Sequence, residues 1–216
     1  MKSIRLLLTC LAIALAPLGA LAATPSEQNE KLLAATDPYE GLTESAIEGD
    51  AAKVAKGLKA AKSAAAATRT LLSPNAAGRF DTLLAETTSA QAKSDMVAVA
   101  LASAELYKLL VTACDPAALA VPAEVNLLDY VGFRSTALLK AAKPDWSALA
   151  ATAQEGNALW TKIRVRVTDQ KLQSGMDQAL AGLTSATAKQ DAVLAATSAK
   201  QNLDLVDELE HFFAKK

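Results

Sequence analysis

Asp204, Asp207, Glu208 and His211 recur at a spacing that places side chains on one face of a helix. At roughly 100° per residue the four fall within an arc of about 100°. Three carboxylates and an imidazole on one stripe form a donor set for a divalent or trivalent metal ion. The same pattern also arises with no ligand at all. Leu205, Val206, Leu209, Phe212 and Phe213 take the other side of this helix, any amphipathic helix turns charge toward water, and a histidine near a helix C-terminus suits the dipole.

Two further acids stand in apolar surroundings. Between Met96 and Ala113 the only charges are Glu105 and Lys108. A helix apolar on every face is buried, and a charge inside it must be paired, hydrogen-bonded, neutralised or ligated. Lys108, at i+3 from Glu105, offers a partner within the helix. Asp129, in Val125-Asn126-Leu127-Leu128-Asp129-Tyr130-Val131-Gly132-Phe133, has no basic residue three or four positions away, and Arg134 at i+5 lies round the helix from it. Its partner must come from elsewhere in the fold: a Tyr, a Trp, a helix N-terminus or a ligand. Gly132 leaves room beside it for a backbone, a ring or a ligand. A short linker makes the helices carrying Glu105 and Asp129 antiparallel neighbours, with the two carboxylates at similar heights. Two acids in one dry site do not both ionise unless a cation or an arginine stands between them. The candidate metal ligands are therefore Glu105, Asp129, Asp204, Asp207, Glu208 and His211.

Other chemistries lack their residues. There is no Cys-x-x-Cys-His, no cysteine cluster and no Gly-rich phosphate loop. With one histidine in the chain, a Ser-His-Asp arrangement could only run through His211, and no Gly-x-Ser-x-Gly accompanies it. A ferritin-like di-metal bundle needs two Glu-x-x-His motifs; the sequence holds one, Glu208 to His211. No catalytic residues are assigned. Trp146 and Trp160 read as large core residues of an alanine-rich bundle, with ligand stacking the sharper alternative.

The elements that must position these residues are written twice. Asp81–Ala100 and Asp177–Ala196 align without gaps, 96 positions apart, and match at 11 of 20 positions, four of them alanine. Composition is 51% hydrophobic but only 4% aromatic, and alanine in place of β-branched residues favours helices. The chain reads as all-α: a duplicated helical-hairpin bundle of seven or eight helices with an internal pseudo-two-fold. The repeats cover about 37–115 and 123–213 of a single domain, 37–216, with Tyr130-Val131-Gly132 echoing Tyr39-Glu40-Gly41.

Residues 1–22 read as a signal peptide: Lys2 and Arg5, an apolar run from Leu6 to Leu18, and Ala20-Leu21-Ala22 as the small-residue cleavage site. Residues 23–36 read as a flexible leader. Of the charged residues, 20 of the 22 basic and all 23 acidic ones follow residue 22. That mildly acidic, well-mixed balance excludes a nucleic-acid partner. Cys114, the one cysteine beyond the leader, reads as a small buried hydrophobe. The expected protein is periplasmic or secreted, has no membrane span after signal cleavage, and is a non-enzymatic binding or accessory protein. Its ligand is a metal ion held through carboxylates, or else its partner is another periplasmic protein and it works as an adaptor or ligand-sensing module without metal.

Overall fold

Asp50, Ser73, Asp95, Asp145, Asp169 and Asp191 each stand one residue ahead of a helix, and each side chain accepts a hydrogen bond from a backbone N–H of the first turn. These caps satisfy donors that a helix start leaves open. A computed structural model describes residues 24–215; the segment read as a signal peptide, Cys10 included, lies outside the described residues. Among them are nine α-helices and no strand: α1 (Pro25–Ala34), α2 (Asp37–Glu48), α3 (Ala51–Thr70), α4 (Pro74–Ala92), α5 (Met96–Thr112), α6 (Ala123–Lys140), α7 (Trp146–Ile163), α8 (Gln170–Lys189) and α9 (Ala192–Ala214). Single 3-10 turns occupy Pro116–Ala118 and Arg164–Arg166. The fold is an all-α bundle.

The two halves repeat one order of neighbours. In the first, α2 packs on α3 and α5, α3 on α4, and α4 on α5; in the second, α6 packs on α7 and α9, α7 on α8, and α8 on α9. The aligned stretches also turn alike. The described non-glycine residues with positive φ are Ser94 (58°) and Gln190 (54°), at matching positions of the alignment. In each turn the following aspartate N–H donates back to an alanine carbonyl, Asp95 to Ala90 and Asp191 to Ala186, both at 3.0 Å. The matched Asp81 and Asp177 hold arginines from the preceding helical segment: Arg69 Nε donates to Asp81 at 2.9 Å, and Arg164 makes two bonds to Asp177 at 2.7 and 2.8 Å. Asp177 also accepts from Trp160 Nε1 at 2.7 Å, so this indole is a core side chain with its polar atom satisfied.

The two halves meet where α5 packs on α6, and buried side chains of both belong to one core. A two-fold would pack α9 on α2 in the same way, and that second seam is not formed: α2 and α9 make no comparable contact. The expected pseudo-two-fold is thus not closed. Gly132 does serve close approach, but not of a ligand. Its missing Cβ is replaced by Leu203 and Asn202 of α9, and Asn202 Nδ2 donates to the Leu128 carbonyl at 2.7 Å.

The leader is a second correction. Residues 25–34 are helical, started by a reciprocal capping box between Thr24 and Glu27. Leu32 is fully buried, and the buried Asn29 side chain both donates to the Asp115 carbonyl and accepts from the Asp115 N–H, each at 2.8 Å. In sequence the segment reads as mobile because its buried anchors are one leucine and one asparagine, too few to give an apolar periodicity. Asn29→Ala leaves that buried backbone pair unmatched. It should lower stability by about 1–2 kcal/mol and make cleavage near residues 34–36 the first event in limited proteolysis.

Candidate functional site

The seam between α5 and α6 carries two acid–tyrosine pairs, one from each helix. Glu105 of α5 accepts from Tyr130 OH at 2.7 Å and from Arg134 Nη1 at 2.6 Å, while Arg134 Nε donates to Thr152 of α7 at 3.2 Å. The i,i+3 partner expected for Glu105 is engaged elsewhere: Lys108 pairs with Glu155 and lies over the Tyr130 ring, 4.4 Å from its centroid. Glu105 is therefore satisfied within the protein and does not converge with Asp129. Arg134, which lies round the helix from Asp129, serves Glu105.

Asp129 is the other kind of acid. It is only 9% exposed, and among the described residues its one hydrogen bond comes from Tyr107 OH at 3.5 Å, long for an O–H donor. Its carboxylate faces a recess of about 360 Å³ at the unclosed α2–α9 seam. Asp37 and Glu40 of α2 and Asp207 and Glu210 of α9 line the sides, Tyr107 of α5 with Asn126 and Asp129 of α6 line another part, and Leu33 and Ala34 of α1 with Thr36 complete the lining. Five carboxylates thus share one space whose lining, among the described residues, includes no basic side chain.

The electrostatics follow from that crowding. Burial, then the charges of Glu210, Glu40 and Asp207, push the Asp129 carboxyl up to about 8, against a small lowering from the Tyr107 hydrogen bond. Burial and the neighbouring Glu44, Asp37, Glu210 and Asp207 push Glu40 up to about 7. Glu210 is also raised, by burial and Asp207, with His211 acting the other way. Burial in the same place pushes the Tyr107 phenol well above its ordinary range. Near neutral pH the recess stores protons that a bound cation would displace.

The acidic stripe of the last helix is divided by this arrangement. Asp204 is exposed and pairs with Lys200 at 2.7 Å. Glu208 and His211 are exposed and line a separate hollow with Asp169 and Lys215; His211 Nδ1 donates to the Asp207 carbonyl at 2.7 Å. Only Asp207 of the four reaches the recess. Of the six expected ligands, the fold brings together Asp129 and Asp207; Glu105, Asp204, Glu208 and His211 lie elsewhere. Among the described residues no three Asp, Glu, His or Cys side chains are placed to ligate one metal ion.

Sequence reasoning missed Glu40, Asp37 and Glu210. A signal for Glu210 existed: it occupies a helical seam otherwise filled by Leu203, Val206 and Phe213, at i, i+3 and i+10 of that row. A carboxylate at such a position is half-buried whatever its neighbours. Glu40 follows the buried Tyr39 with no comparable mark. Cys114 is buried, its thiol pushed up to about 11 by burial, as expected for a small core residue.

Comparison with protein-family models, with curated proteins and with solved structures finds no match to this chain. No helix among the described residues is long and apolar enough to cross a membrane.

Proposed function

We propose that the protein is an exported, non-catalytic helical binding protein that takes a cation in the recess between α2 and α9. The observation that carries this reading is Asp129. A carboxylate nine-tenths removed from water, with one 3.5 Å hydrogen bond among the described residues, faces four more carboxylates and no basic side chain of those residues. A buried charge left in that state is costly unless it is neutralised or paired. A proton serves at low pH, and a cation serves when protons are scarce. The metal expected from sequence becomes one member of a broader class, because ligation of a hard metal ion requires several oxygens to converge at roughly 2.0–2.6 Å. Export rests on the apolar N-terminal segment with its Ala20-Leu21-Ala22 site.

The test is a thermal-shift series at pH 8 with Ca²⁺, Mn²⁺, ammonium and an alkylammonium salt at matched ionic strength. At least one should raise the melting temperature of the wild type, in proportion to the logarithm of its concentration, and should have no such effect on Glu40→Gln/Glu210→Gln. Equal shifts in both proteins would remove the recess as the site.

A further inference from the structure

Next to the acidic recess lies a larger hollow of a different character. It measures about 490 Å³ and is bounded by Leu33 of α1, Leu119 and Val121 of the chain between α5 and α6, and Ala214 at the end of α9, with Glu30 and His211 also in its lining. Leu33, Asn126 and Glu210 belong to both spaces, so the two adjoin and Glu210 stands between them. A mainly apolar compartment beside an open recess lined by carboxylates matches a ligand with two unlike ends.

Resting on the reading of the recess as a cation site, we infer that the ligand is an amphiphilic organic ammonium ion, its charged nitrogen facing Asp129, Glu40 and Glu210 and its apolar body seated against Leu33, Leu119 and Val121. Three observations favour this occupant over a bare metal ion. No three potential ligands among the described residues are placed to coordinate one metal, whereas an N–H donor set accepts carboxylates spread around a wider space. The recess holds a nearly buried carboxylate that lacks a good donor, and an ammonium supplies donors as well as charge. The adjoining hollow offers apolar surface that a hydrated inorganic cation would not use.

Titration calorimetry on the purified protein at pH 8, with n-hexylammonium, ammonium, n-hexanol and Ca²⁺ as probes, tests the inference. Hexylammonium should bind roughly tenfold or more tightly than ammonium, since burial of even two methylenes contributes that much, and more tightly than hexanol. Leu119→Asn should remove most of the advantage over ammonium while leaving ammonium binding in place; Asp129→Asn should weaken both cations. Circular dichroism of each variant checks that the fold is intact. If Ca²⁺ or ammonium binds through Asp129 but hexylammonium gains nothing over ammonium, the inference falls and the recess stands as a site for small cations. If hexanol binds as tightly as hexylammonium, the hollow acts without the carboxylates and the inference falls. If no probe binds but a lysine-containing peptide does, the occupant is a protein partner and the inference falls. If nothing binds, the inference and the cation reading fall together.

Discussion

Asp129→Asn raises the melting temperature at pH 8.5 by roughly 5 °C or more and leaves it almost unchanged at pH 5. The sign follows from where the proton sits. An unfolded aspartate gives up its proton near pH 4, whereas in the folded protein Asp129 keeps it up to about 8. Between those values the folded state holds more protons than the unfolded state, so stability falls as pH rises through the window, and the full cost is present above pH 8. Glu40, with its carboxyl near 7, adds to the same slope. The wild type without added cation should therefore melt at a higher temperature at pH 5 than at pH 8.5. Asn removes the buried charge at nearly constant shape and flattens that dependence. A saturating cation reverses the order at high pH, because the wild type gains from binding and the variant does not. Melting curves from pH 5 to 9, with and without the best cation of the thermal-shift series, give all of these comparisons. A wild-type profile that rises from pH 5 to 8 would contradict the placement of Asp129.

The second large effect is steric. Gly132→Ala should lower stability by about 1–3 kcal/mol, although alanine is the better helix former by up to about 1 kcal/mol. A Cβ at Gly132 overlaps the Leu203 side chain and crowds Asn202 Nδ2, whose hydrogen bond to the Leu128 carbonyl ties α9 to α6. Gly78→Ala is the control. It is an exposed helical position with nothing within 4 Å of the added carbon, so the same substitution should stabilise by about 0.5–1 kcal/mol. Denaturant unfolding of the two variants should give shifts of opposite sign. Two shifts of the same sign would mean that α6 and α9 are not in the close contact described.

The helices were legible because their boundaries are written in local chemistry. Asp50, Ser73, Asp95, Asp145, Asp169 and Asp191 are residue types that favour a helix N-cap, and each caps the helix that follows it. The two aligned stretches are locally alike: the residues at Asp81 and Asp177 each hold an arginine, and those at Asp95 and Asp191 each close a left-handed turn and cap the helix that follows. Helix α1 was missed although Thr24-Pro25-Ser26-Glu27 is a readable helix start, because one buried leucine and one bridging asparagine leave no apolar periodicity behind it. Burial of Asp129 could be inferred from its own helix, since a run apolar on every face leaves a charge no exposed direction. Its companions could not. Glu40 and Glu210 are brought to it by helices far away in sequence, at a seam that a closed two-fold would have filled. Glu105 misled for the same reason: its satisfying arginine, 29 residues on, is a fact of packing between helices that spacing within one helix does not contain.

Counting protons during a cation titration tests the central claim most directly. Calorimetry at pH 7.5 in two buffers of different ionisation enthalpy, using whichever cation gives the largest thermal shift, reports the protons released per cation bound. If the cation enters the recess, it displaces the proton that Asp129 holds up to about 8 and part of that held by Glu40 up to about 7. The release should then be on the order of one proton per cation at pH 7.5, should fall toward zero at pH 9, and should drop in Asp129→Asn together with the affinity. Binding with no proton release, unaltered by Asp129→Asn, would place the cation elsewhere on the protein and contradict the account.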